Sequence, residues 1–206
     1  MANRKQTRIQ TANRERILRA ALEVFARDGF RGATVDGIAV VAGMSKPNLL
    51  YYFPSKDQIY RTVLEQLLET WLDPLREINA EGDPLREISG YIERKIEMAR
   101  DFPQESRLFA NEMLRGAPIL KDILETDLKA LVDEKAAVLR RWSKEGQIAP
   151  IDPYHLIFAI WATTQHYADF DTQVQAVLGP EMSGEGRFDD AASALKQLFF
   201  NGLKPR

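Results

Sequence analysis

Between residues 34 and 56 the chain reads Thr34-Val35-Asp36-Gly37-Ile38-Ala39-Val40-Val41-Ala42-Gly43-Met44-Ser45-Lys46-Pro47-Asn48-Leu49-Leu50-Tyr51-Tyr52-Phe53-Pro54-Ser55-Lys56. Thr34 stands where an N-cap belongs, ahead of a short apolar segment, because its hydroxyl can accept from a first-turn N–H. Gly43 interrupts with the residue that best tolerates positive φ. Ser45 then offers a second cap, and Pro47 falls in the first turn of the next helix, where a missing N–H is tolerated. Phe53-Pro54-Ser55 stops that helix, and Ser55 can cap another. Two short helices around a glycine turn, inside about 40 residues, outline a helix-turn-helix.

Working outward, Ile17, Leu18, Ala21, Leu22, Val24 and Phe25 recur at helical spacing and predict a first helix from Asn13 to Asp28. Residues 1–12 are polar, basic and without period, so they read as a flexible arm carrying Arg4, Lys5 and Arg8. Beyond Asp57 a long helix reaches about Asn79, with Leu64, Leu67, Leu68, Trp71, Leu72 and Leu75 on one stripe. Further helices are expected at about 84–101, 103–115, 118–145 and 153–167, then a loop over 179–187 and a last helix to Gly202. No stretch alternates as a strand would, and no repeat is present. The expected fold is all-α, a three-helix N-terminal module on a larger helical domain.

The 206 residues hold 28 basic and 30 acidic side chains, a net charge of -2, which by itself argues against a polyanionic partner. The charge is unevenly placed. Residues 1–61 carry eleven Lys and Arg against five Asp and Glu, a balance of +6, which leaves −8 for the remainder. A basic end on an acidic body suits one surface for an anionic polymer and another that stays off it, although a solvated basic tail would look the same. With no cysteine there is no disulfide, thiolate metal site or cysteine nucleophile. The start of the chain lacks an apolar signal region and no apolar run reaches 18 residues, so a cytoplasmic protein without a membrane partner is expected.

The 34–56 stretch, with its glycine, caps and basic residues, resembles the DNA-binding signature of the TetR family of regulators. Its physics is consistent with that. Ile38, Ala39, Ala42 and Leu49 supply the small apolar interface between two short helices. Ser45 directs free N–H groups and the positive helix end toward phosphate. Lys46, Pro47, Asn48 and Leu50 project where base edges would be read. By resemblance, Thr34, Tyr51, Tyr52 and Lys56 position the backbone on phosphates, while Arg4, Lys5 and Arg8 track the backbone or enter the minor groove. Taken alone, Tyr51 and Tyr52 could be a core aromatic pair. The resemblance implies a homodimer on palindromic double-stranded DNA. It also divides the chain into the arm 1–12, a DNA-binding domain 13–56 and a ligand-binding and dimerisation domain 57–206. In the family the last two helices pair across the dimer, for which the apolar faces around Ile160 and Phe199-Phe200 are candidates, although the same faces could complete the monomer core.

The larger domain carries Trp71, and Trp161 with Gln165 four residues on, on one helical face. Flat aromatic surface beside a primary amide suits a planar heterocycle with paired donor and acceptor, though the same residues could be core. Trp71-Leu72-Asp73-Pro74-Leu75, Ser106-Arg107-Leu108-Phe109, Glu112-Met113-Leu114, Ala149-Pro150-Ile151-Asp152-Pro153 and the run from Trp161 to Phe170 resemble a pyrimidine-sensing branch of the family. That resemblance implies uracil or thymine as effector, no cofactor, and ligand contacts at Trp71, Trp161 and Gln165. Helical phase adds Phe109 and Tyr167. The rival reading, an enzyme or metal site, has only Asp152 with His155 and His166 with Asp169 at i, i+3, with no third ligand in phase. Neither catalysis nor a metal is expected.

Overall fold

Three helix starts are built by the hydroxyls expected to build them. Thr34 Oγ1 accepts from the Gly37 amide at 3.0 Å, Ser45 Oγ from Asn48 at 3.4 Å and Ser55 Oγ from Gln58 at 3.2 Å. Gly43 takes φ +64°, and an added Cβ would meet nothing within 4 Å, so backbone conformation rather than space requires glycine there. The computed structural model describes residues 8–205. Along them run α1 (Arg8–Gly32), α2 (Val35–Val41), α3 (Lys46–Tyr52), α4 (Lys56–Arg76), α5 (Pro84–Asp101) and α6 (Pro103–Leu114). Then come α7 (Lys121–Ile123), a π-helical stretch (Leu124–Leu128), α8 (Lys129–Lys144), α9 (Pro153–Asp169), α10 (Asp171–Met182) and α11 (Arg187–Leu203). Among the described residues every regular element is helical, and no helix is long and apolar enough to cross a membrane.

Two cores form. The first packs Ile17, Ala21 and Phe25 of α1 on Ile38, Ala39 and Leu49, and closes with Ile59 and Leu64 of α4. The second gathers Ile92 and Ile96 of α5, Leu139 and Trp142 of α8, Leu156 and Ile160 of α9, and Leu195 of α11. α4 belongs to both, because Ile59 to Leu67 lie in the first and Leu75 in the second. Side chains burying one unbroken stripe from one core into the next make this helix the strut of the molecule.

Four features depart from the periodicity. α1 begins at Arg8 instead of Asn13. Asn13 and Arg14 bond to Tyr52 and anchor the helix, which then extends one turn outward through the exposed Arg8 and Ile9. The helix expected over 118–145 starts later, at Lys121, and is π-wound over Leu124–Leu128 before running on to Lys144. Leu124 and Leu128, at the two ends of that turn, line one cavity wall. The expected loop at 179–187 is shorter, because α10 runs through a break at Gly179 (φ +74°) to Met182. Finally, Ile160 is 2% exposed and faces its own subunit's core beside Leu156 and Ile157, while Phe158, two residues away and so across the helix, points outward at 48%.

Candidate functional site

The exposed face of the first core is α3 and its approach. Ser45, Lys46, Pro47, Asn48 and Tyr51 are exposed, and Leu50 is half-buried. Lys46 pairs with Asp36 at 2.8 Å on the surface, an exposed contact of little strength that a stronger anion could displace. Tyr52 is held from behind. Its hydroxyl accepts from Asn13 Nδ2 at 2.8 Å, its carbonyl from Arg14 at 3.1 Å, and the Arg14 guanidinium lies 4.2 Å over the Phe53 ring. Tyr51 and Tyr52 meet edge to face at 5.2 Å, so Tyr51 stands free with a defined direction.

Lys56 does not join that face. Its Nζ donates to Phe30 O at 2.7 Å and Ala33 O at 3.0 Å, capping the end of α1, and lies over the Phe30 ring. Arg8 is exposed on α1, whereas Arg4 and Lys5 lie outside the described residues.

A cavity of about 210 Å³ opens between the two cores. α4 supplies Leu68, Trp71 and Leu72 to one wall, and α6 adds Phe109 and Met113. Opposite stand Trp161 and Gln165 of α9, with Leu124 and Leu128 from the π stretch. Four of the five ligand residues expected from the sequence therefore converge here. Tyr167 does not. Two residues past Gln165 it lies about 200° around the helix and packs against the second core. A larger cavity of about 400 Å³ shares Leu124, Leu128 and Trp161, which thus form the partition between the two.

Sequence reasoning missed two polar residues at this site. Tyr91, buried on α5, accepts a 2.6 Å hydrogen bond from the Trp161 indole N–H and fixes that ring; burial pushes its phenol up. Lys95, one turn on, lines the cavity at 3% exposure. Burial pulls it down to about 7, partly opposed by the Asp169 carboxylate. A signal existed: a lone cation inside the stripe of Tyr91, Ile92, Ile96 and Ala99.

The cavity is tied to the module below it. Glu112 of α6, wholly buried, accepts from the Tyr60 hydroxyl at 3.2 Å and the Ile119 amide at 2.7 Å, while Tyr60 packs on Phe25 and Phe30. Arg61 reaches Ile119 O and Asp122 from α4.

The residues of the enzyme reading have structural occupations. Asp152 caps α9 by accepting from the Tyr154 and His155 amides at 3.0 Å, which lowers its carboxyl. Asp169 accepts from Ser106 Oγ at 2.6 Å, and burial raises it. His166 stacks on Phe170. Among the described residues no group of three or more acidic, histidine or cysteine side chains could hold a metal.

A recognition-helix module coupled by one continuous helix to a cavity-bearing helical body defines a one-component DNA-binding regulator. The family comparisons agree. Residues 17–63 match the model described as bacterial regulatory proteins, tetR family, and residues 64–206 match the YcdC-like protein C-terminal region. The chain is 50% identical over 202 residues to the HTH-type transcriptional regulator RutR of Escherichia coli K12, covering 98% of this chain and 95% of that one. It is also 30% identical to the HTH-type transcriptional repressor NicS of Pseudomonas putida, over 68% of this chain and 66% of that one. The Streptomyces coelicolor transcriptional regulator SCO4942 superposes with a TM-score of 0.75 at 25% identity, covering 94% and 99% of the chains. AibR, solved with isovaleryl coenzyme A and operator DNA, shares the fold at a TM-score of 0.68 and 16% identity, with 90% and 97% covered. The protein belongs to the TetR family and is a transcriptional regulator related to RutR.

Proposed function

We propose that this regulator is a cytoplasmic homodimer that binds a palindromic operator and releases it on binding uracil or thymine. The observation that carries the reading is the convergence of Trp71, Trp161 and Gln165 on one small cavity between the cores. At about 210 Å³ that cavity falls below the roughly 300–1,000 Å³ of sites for drug-sized ligands, so a single planar ring suits it. The indoles supply apolar and stacking surface, and the Gln165 amide offers a donor and an acceptor to a ring N–H and its neighbouring carbonyl.

Release follows from where the cavity sits. Two modules in a dimer must present their recognition helices about one DNA turn apart, roughly 34–36 Å. Ser45, Lys46, Pro47, Asn48, Leu50, Tyr51 and Tyr52 form the contact face, joined by Thr34 and by Arg8 at the start of α1; Arg4 and Lys5, outside the described residues, are further candidates for the DNA backbone. A ligand that draws Trp71 toward Trp161 shifts α4, and Phe109 shifts α6. Both helices enter the first core, through Tyr60 and Glu112, and carry the module out of register. Complete switching needs a differential affinity of up to about 5.5 kcal/mol.

The test is an operator shift assay with and without uracil, on wild type and Gln165→Ala. Uracil should release wild type from DNA, while Gln165→Ala binds DNA and ignores uracil. Unchanged operator affinity in wild type at saturating uracil and thymine would remove the sensing reading. A thermal-shift response to some other small molecule would replace it.

A further inference from the structure

α5 buries Ile88, Tyr91, Ile92, Ile96 and Ala99 along one stripe, and within it stands Lys95. The Lys95 ammonium lies 5.5 Å from the Trp71 ring centroid and makes no hydrogen bond or ion pair with any described residue. A nearly buried ammonium without protein acceptors is costly; this one lines the cavity, where its nitrogen keeps access instead of being sealed in protein.

The neighbouring helices do not neutralise it. From α9, Asp169 is the carboxylate that acts on it, and that group already accepts from Ser106. α4 faces the cavity with Leu68, Trp71 and Leu72, which carry no charge, and α6 with Phe109 and Met113. Arg107 of α6 is turned to Ala168 O at 3.4 Å. At the α11 contact, Lys196 pairs with Glu93 near the surface. Lys95 and Gln165 thus line the same ligand space.

We propose that Lys95 is a third polar contact for the effector, its ammonium donating a hydrogen bond to a ring carbonyl oxygen of the bound pyrimidine. The inference rests on the pyrimidine reading above and deepens it, since it makes an oxygen acceptor on the ring part of what the site selects. It also has a protonic signature. At neutral pH the free protein holds Lys95 as a mixture of amine and ammonium. A carbonyl acceptor favours the charged form, so binding draws a proton from solution.

Calorimetric titration of the full chain with uracil, in two buffers of different ionisation enthalpy, reads that proton. The expected uptake is larger at pH 8 than at pH 6, because the free protein holds Lys95 lowered to about 7. Lys95→Met exchanges the cation for an apolar chain of similar reach. It should bind uracil roughly ten- to hundred-fold more weakly, with no uptake at pH 8. If that variant does not fold, Lys95→Gln, which keeps a donor but not the charge, takes its place in the affinity measurement beside the wild-type proton count. Uracil binding without proton uptake in wild type, or undiminished in a folded Lys95→Met, overturns the contact and leaves the pyrimidine reading standing. Failure of wild type to bind either uracil or thymine removes both.

Discussion

Burial lowers the Lys95 ammonium from an ordinary 10.5 to about 7, and the sign of that shift is readable in folding experiments. In the unfolded chain Lys95 keeps its proton up to about pH 10.5, whereas in the folded chain it loses it above about 7. Across that interval the unfolded state binds more protons, so this residue makes the ligand-free protein more stable as pH rises. Tyr60 and Tyr91 are raised by burial and oppose the trend only above their ordinary 10.0. The urea midpoint of wild type should therefore rise between pH 7 and pH 9, and rise less in Lys95→Met. Equal slopes would show that another group carries the dependence. Of the candidate site, Trp161 and Gln165 stood out in the sequence by sharing one helical face, Phe109 by helical phase, and Trp71 through the family resemblance. Lys95 left only the signal of a lone cation in an apolar stripe and Tyr91 left none, since their importance lies in what another helix brings to them.

Among elements, α1 shows how a residue type can be right and its partner wrong. The resemblance assigns Lys56 to phosphate, but its ammonium sits on the Phe30 and Ala33 carbonyls at the end of α1, where a cation complements the helix dipole. Lys56→Ala should lower unfolding free energy by about 1–2 kcal/mol, measured in urea. The dependence of log operator affinity on log salt should then change by much less than the roughly 0.9 that one lost phosphate contact removes. A full loss of that slope would return Lys56 to the DNA face. The helix starts tell a similar story. Caps at Thr34, Ser45 and Ser55 are local chemistry and were readable, while the π-wound turn at Leu124–Leu128 answers to the cavity it borders and carries no local signature.

On the scale of the whole molecule, α4 is the part through which cavity and module can influence each other. Its exposed Gln66 flanks Leu67, the last first-core residue of the helix, and its exposed Thr70 adjoins Trp71. Gln66→Gly with Thr70→Gly should cost about 1–2 kcal/mol of stability, since glycine loosens an exposed helix interior. The cavity walls are untouched, so calorimetry should find uracil affinity within about threefold of wild type. Fluorescence anisotropy on operator DNA should find the ligand's effect much reduced. A full response in this variant would move the coupling to α6 and the Glu112–Tyr60 bond.

The amino-acid sequence by itself determined the helical class, the helix-turn-helix and the split of charge between module and body. Each depends on neighbours within a few turns: caps, a positive-φ glycine, an apolar period. Tertiary structure alone decided that Lys56 is turned inward, that Ile160 belongs to its own subunit's core and that Lys95 is buried beside Trp71. Those outcomes turn on contacts between helices far apart in the chain, where burial and the available acceptors, rather than residue type, set what a side chain does.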